Sequence, residues 1–201
     1  RDLTADLVQM VRTTLDEVER ELEPIITTMR DDYTVRERTV GIGRLTKEEA
    51  HELGAVGPVA RGCGIPMDFR TTGYEAYGDL EFKPVVFEGG DCYARCKVRL
   101  YEMPQSISLM RGALDKLPAG PLAVPVKGNP DGETISRCEQ PRGEVIYYMR
   151  ANNTRNLERL RIRTPTFANL APLLKMLPGC QLADVPVIVL AIDPCISCTE
   201  R

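Results

Sequence analysis

Apolar residues near the start of the chain, Leu3, Leu7, Met10, Val11, Val18, Leu22, Ile25 and Met29, recur mostly at three- and four-residue steps. An α-helix turns once every 3.6 residues, so this spacing gathers them on one side and predicts a long amphipathic helix over about residues 4–30. Thr46 and Glu49 stand at capping-box spacing and open a short helix, which Gly54 stops. Residues 57–77 are rich in glycine and proline and are expected to be irregular. A third helix is predicted over 91–117, carrying Val98, Met103, Ile107, Met110 and Leu114, with Pro104 interrupting and kinking it.

The period then changes. Residues 118–132 are punctuated by proline and glycine and read as a loop. Two strands follow, 144–151 and 157–163, joined by the polar run Asn152-Asn153-Thr154-Arg155-Asn156. In the second strand Leu160 and Ile162 alternate with Arg159, Arg161 and Arg163. Residues 167–177 are predicted helical despite Pro172. Residues 182–192 are almost wholly apolar and read as a buried element, helix or strand. The fold class is therefore mainly α with a small antiparallel β insertion (α+β). Residues 1–117 are mainly helical, 118–166 form a loop and β-hairpin insertion, and 167–201 hold helices and a terminal Cys-x-x-Cys.

Composition narrows the function classes. Apolar residues make up 43% of 201 positions, enough for a sizeable core. The net charge is −3 with both signs interspersed, so no nucleic-acid partner is expected, and the arginines of the second strand read as a solvated face. No signal-peptide pattern is visible, and no apolar run is long enough to span a bilayer. The chain opens Arg-Asp-Leu-Thr without Met, so it is expected to be a piece of a longer polypeptide. Seven cysteines without framework spacing argue against a secreted disulfide scaffold and for a reducing, cytoplasmic setting. Cys92 and Cys96 would share a helix face and are expected to be small buried hydrophobes. His51, the one histidine, is expected at the surface, which leaves little material for nucleophile–histidine catalysis.

Candidate chemistry concentrates in the last nine residues, Asp193-Pro194-Cys195-Ile196-Ser197-Cys198-Thr199-Glu200-Arg201. A Cys-x-x-Cys turn points two thiols the same way, which suits one soft metal ion. Pro194 stops a preceding helix from running through the pair. A closed tetrahedral site needs four ligands, so two more must come from elsewhere in the chain or from another chain.

Asp193-Pro194-Cys195-x-x-Cys198-x-x-Arg201 resembles the C-terminal signature of the large subunit of nickel–iron (NiFe) hydrogenases, in the energy-converting, membrane-bound branch related to complex I. Other blocks are similar in the same order: Arg44 to Ala50, Gly57-Pro-Val-Ala-Arg61, Asp68-Phe-Arg70, Tyr93-Ala-Arg-Cys-Lys-Val-Arg99 with Glu102, Gln140-Pro-Arg-Gly143, and Arg163-Thr-Pro-Thr-Phe-Ala-Asn169. The resemblance covers nearly the whole chain and implies the C-terminal part of that long-helix-bundle fold, with residues 182–192 helical.

It also implies nickel bound by four thiolates, two from each of two Cys-x-x-Cys motifs, beside an iron carrying cyanide and carbon monoxide. Cys195 would be the terminal nickel ligand and proton acceptor, and Cys198 the bridge to iron. Arg142, in the loop after Pro141, would overhang the open coordination position. Thr166 would bond a cyanide ligand, unless it is only the N-cap of the next helix. Asp193 would belong to the same surrounding shell, unless it merely initiates a turn. The other Cys-x-x-Cys is missing, so the chain alone is expected to be inactive and to carry no metal, or adventitious zinc. Implied partners are the missing N-terminal half of the subunit, an iron–sulfur small subunit, integral membrane subunits and a maturation endopeptidase that trims after a basic residue at the spacing of Arg201. The implied location is peripheral, on the cytoplasmic membrane face. The fragment is expected to self-associate. Two alternatives stand beside this reading: the quinone-reactive large subunit of complex I, and a noncatalytic module with a terminal zinc or redox dithiol.

Overall fold

A computed structural model describes residues 3–121 and 123–200; Arg201 of the terminal signature lies outside the described residues. The first long helix, α1 (Ala5–Asp31), starts where Thr4 accepts a hydrogen bond from the Leu7 N–H. Asp6 in its first turn and Arg30 in its last complement the helix dipole. Asp32 ends α1 and caps α2 (Tyr33–Thr39), its carboxylate accepting from the Val35 N–H at 3.0 Å. The capping box is present in full: Thr46 and Glu49 bond reciprocally at the start of α3 (Lys47–Glu52). Gly54, at φ +67°, takes the left-handed conformation past its end.

Residues 57–77 are more regular than their glycines and prolines suggest. They form α4 (Gly57–Arg61), every residue of which is buried, and two 3-10 turns, Phe69–Thr72 and Glu75–Asp79. Pro58 sits at the first turn of α4, where its missing N–H costs nothing and its fixed φ favours the helix.

The second long helix, α5 (Cys92–Asp115), is capped by Asp91 and continues across Pro104 rather than being interrupted there. It runs antiparallel to α1. Arg12 pairs with Asp115, Arg111 with Asp16 and Glu19, and the Tyr93 hydroxyl donates to the Arg30 carbonyl at 2.6 Å. Such exposed ion pairs add little stability, so they fix register rather than strength. The core lies against the N-terminal half of α5 and gathers Leu45, Val59, Cys92, Met176, Ile188 and Ile192.

The β insertion has three strands, not two: β1 (Asp131–Gln140), β2 (Gly143–Asn152) and β3 (Leu157–Arg163), antiparallel in that order. β1 escapes an apolar-pattern reading because Ile135 and Cys138 are its only apolar side chains and seven of its ten residues are exposed. Pairing of Gln140 with Gly143 closes a two-residue turn at Pro141-Arg142. Arg163 is not simply solvated; it pairs with Glu144 at 2.6 Å.

The C-terminal region is helical: α6 (Pro165–Ala168), α7 (Leu170–Met176), a 3-10 turn (Leu182–Asp184), α8 (Val185–Ala191) and α9 (Ile196–Thr199). The 182–192 run is only half buried. Ile188 and Ile192 are fully enclosed, whereas Leu182 and Leu190 are 88% and 71% exposed. Among the described residues no helix is long and apolar enough to cross a membrane.

Candidate functional site

The β1–β2 turn reaches the rest of the molecule through two glycines. Gly57 opens α4 at φ +62°, and a Cβ there would lie 2.3 Å from the Arg142 carbonyl oxygen. A Cβ on Gly143, at φ +129°, would lie 2.7 Å from the Gly57 nitrogen. Only glycine permits this backbone-to-backbone approach and these φ values together. Asn169, fully buried between α6 and α7, holds the other side of the joint. Its amide oxygen accepts from the Val56 N–H at 3.0 Å, and its amide nitrogen donates to the Val56 carbonyl at 3.3 Å.

So seated, the turn aims Arg142 at the terminal segment. Its Nε donates to the Asp193 carbonyl at 2.7 Å, and its Nη2 lies 3.2 Å from the Asp193 carboxylate. Asp193 has φ +54°, an uncommon conformation for a side-chain-bearing residue, more tolerable for Asp because of its short polar side chain.

Thr166 is fully buried inside α6, and Thr164 occupies the N-cap position, so Thr166 is not the cap. Instead its hydroxyl accepts from the Cys195 N–H at 3.2 Å. Thr164 donates to the Cys198 carbonyl. Two threonines thus anchor the backbone of the Cys-x-x-Cys turn, and α9 follows from it, with the Cys198 N–H donating to the Cys195 carbonyl at 3.1 Å.

The thiols of Cys195 and Cys198 interact with each other and have opposite character. Ser197, 3.2 Å from the Cys195 sulfur, is the main influence drawing the Cys195 pKa down to about 7. The Cys198 N–H, the Cys198 thiol and the Arg142 charge act in the same direction. Burial, then the neighbouring Cys195, push Cys198 up. Among the described residues no group of three or more His, Cys, Asp or Glu side chains could hold a metal ion. The pair therefore offers two donors and no more. Pro141 and Asp193 also border a cleft of about 370 Å³ that extends to Arg99, Glu102 and Glu139.

All six residues singled out from the sequence thus meet at one place: Arg142 and Asp193 by direct contact, Thr166 through Cys195, Cys198 beside Cys195, and Pro141 on the adjoining wall. Cys92 lies apart, buried 3.6 Å from Arg95, with burial raising its thiol pKa; Cys96 is half-buried and likewise raised. His51 is exposed. Gly57 and Asn169 carry the joint, yet sequence reasoning assigned them no role. The signal was present, since both stand inside blocks that share the order of the family's motifs.

The sequence matches the family described as "Respiratory-chain NADH dehydrogenase, 49 Kd subunit" over residues 1–129 and 125–201. It is 43% identical to the carbon monoxide-induced hydrogenase of Rhodospirillum rubrum, across 93% of this chain and 53% of that protein. It is 35% identical to one of the NADH-quinone oxidoreductase subunits of Francisella tularensis subsp. novicida, across 87% of this chain and 49% of the relative. Its fold is similar to a chain in the structure of the membrane-bound sulfane sulfur reductase, an archaeal respiratory membrane complex. That likeness has a TM-score of 0.92 at 30% identity and covers 98% of this chain and 56% of the other. The chain spans about half the length of the relatives it matches.

Proposed function

The chain belongs to the family of the respiratory-chain NADH dehydrogenase 49 kDa subunit, and from that premise we propose that it is part of the large subunit of an energy-converting nickel–iron hydrogenase. The observation that supports this reading is the meeting of Cys195-x-x-Cys198 with Arg142, Asp193 and Thr166. The same family holds subunits of quinone-reducing enzymes, for which a terminal thiol pair held under an arginine has no evident task.

The donor set suits the metal centre that the family resemblance implies. Nickel and low-spin iron prefer soft thiolates, and a thiol must lose its proton to bind. Cys195, with its pKa near 7, is substantially deprotonated at neutral pH. Cys195 and Cys198 would hold the centre from this side, and the remaining two thiolates would come from polypeptide outside this sequence. When bound, the centre supplies the heterolytic cleavage and formation of dihydrogen.

The residues of this chain then have distinct tasks. Thr166 and Thr164 fix the backbone on which the two sulfurs sit. Cys195, the more exposed and more acidic thiol of the pair, offers a sulfur lone pair to hold a proton. Arg142 presents a planar cation that Asp193 keeps from swinging away, so positive charge is in place before any negative charge develops. The solved relative is a respiratory membrane complex. We extend the same setting to this chain, with an iron–sulfur subunit taking electrons and membrane subunits providing attachment.

The test is isotope exchange between deuterium gas and water, catalysed by the full-length subunit in its complex. Cys195→Ser abolishes exchange on this reading. Arg142→Lys retains the metals but slows exchange by about a hundredfold, since a flexible ammonium does not reproduce a fixed planar fork. Wild-type rates in Cys195→Ser would refute the assignment.

A further inference from the structure

Behind the Arg142 turn lies a buried charge cluster that the site does not use. Arg61, fully buried in α4, pairs with Asp68 at 2.8 Å, Glu102 at 2.8 Å and Glu139 at 3.0 Å. Arg70 pairs with Asp68 at 2.7 Å and stands 3.7 Å from Glu102. Two guanidiniums therefore face three carboxylates. The third cation nearby, Arg99, makes no ion pair among the described residues, and its Nε and Nη2 are buried without a hydrogen-bond partner there. Such a cluster costs stability compared with an apolar core, which is a reason to look for a task.

Glu139 is the pivotal member. It stands three residues before Arg142, at the end of β1, and its side chain is 3% exposed. It lines the 370 Å³ cleft that reaches Asp193 and Pro141, and also a second cleft of about 210 Å³ bounded by Pro66, Thr72, Arg137 and Glu144. One carboxylate thus forms part of the wall between two clefts, each bordered by charged side chains and roomy enough for water. Across Arg61, Glu102 faces the first cleft, and its Oε1, though within ion-pair distance of Arg61, has no hydrogen-bond donor among the described residues.

We propose that Glu139, with Glu102 on the same guanidinium, passes a proton between the cleft beside Asp193 and the cleft under the sheet, giving the Arg142 side of the site its own proton path. The proposal rests on the hydrogen-cleaving reading. One proton of dihydrogen leaves the site through the first cleft and binds the Glu139 carboxylate, directly or by way of Glu102. The O–H bond of Glu139 then breaks toward the second cleft, and the carboxylate is restored. Asp193 itself stays paired with Arg142 at 3.2 Å.

The surroundings of Glu139 suit a group that takes and returns a proton. Burial raises its pKa most, and Asp68 adds to this; Arg61 and the Phe69 N–H at 3.1 Å act against them. From α5, Glu102 and Arg99 share its cleft; along the sheet, Arg137 and Glu144 border the other side. The Tyr74 hydroxyl accepts from the Glu139 N–H and steadies the backbone.

Two measurements on the full-length subunit in its complex test the path. Infrared titration reads the carbonyl stretch of a neutral carboxylic acid, which Glu139→Gln should remove. Hydrogen assays then separate splitting from proton escape. Para-to-ortho conversion of dihydrogen needs only reversible cleavage, whereas exchange with water needs the proton to leave. Glu139→Gln should preserve conversion and nickel content while lowering exchange by about tenfold or more, with Glu139→Asp restoring part of it. Glu102→Gln gives the same split and carries the test if Glu139→Gln fails to fold. Unchanged exchange in both glutamine variants overturns the proton path. A wild-type complex that shows no para-to-ortho conversion overturns the hydrogen-cleaving reading instead, and the infrared band still decides whether Glu139 binds a proton.

Discussion

Cys195 and Cys198 are chemically identical side chains three positions apart, and their surroundings separate them. Ser197 and the Cys198 N–H favour the Cys195 thiolate, while burial disfavours that of Cys198. Alkylation of Cys195 should therefore rise with pH through a midpoint near 7, because the thiolate is the reacting form. Ser197→Ala should move that midpoint upward, toward the ordinary cysteine range. Peptide-mapped iodoacetamide kinetics give both values, and a midpoint unchanged by Ser197→Ala would show that the hydroxyl does not hold the thiolate. The pair itself was legible in the sequence, since spacing alone makes two thiols converge. Its asymmetry was not. That depends on burial, which weighs on Cys198, and on a hydroxyl rotor beside Cys195 that no periodicity encodes.

Among the elements, those with strong local signals matched their structures closely. The α1 stripe and the Thr46–Glu49 box are written in residues a few positions apart. β1 was hidden because it has almost no buried face to leave an apolar alternation. α4 was hidden because five residues that open Gly-Pro and end on an arginine look, in sequence, like a loop. Both border the joint that seats Arg142, where Gly57 of α4 meets Gly143 just past the turn that ends β1. Gly57→Ala tests that joint. It forces a Cβ into the Arg142 carbonyl and requires a left-handed backbone that L-residues disfavour by about 1–2 kcal/mol. The variant should lose about 2 kcal/mol or more in chemical denaturation. It should also raise the Cys195 alkylation midpoint, since the Arg142 charge moves away. A fully stable variant with an unchanged midpoint would mean that the joint does not position the arginine.

For the whole molecule, the notable feature is apolar surface left uncovered in two regions of the fold. Met10, Val18 and Ile25 are exposed along α1, and Leu174, Leu182, Leu190 and Ile196 toward the C-terminus. Surface of this kind finds partners. The chain on its own should self-associate in multi-angle light scattering, and Leu182→Glu with Leu190→Glu should weaken the association. A strict monomer at high concentration would count against this. On the proposed reading the site needs a partner as well, since two thiols are half of what a closed metal site requires. The central claim is that Cys195 and Cys198 are half of a nickel-binding set, and metal analysis of the purified full-length subunit tests it most directly. The account predicts stoichiometric nickel in the wild type and none in Cys195→Ser, with Asn169 and Gly57 intact and the chain folded. Undiminished nickel in Cys195→Ser, or zinc alone in the wild-type subunit matured in its own host, would contradict it.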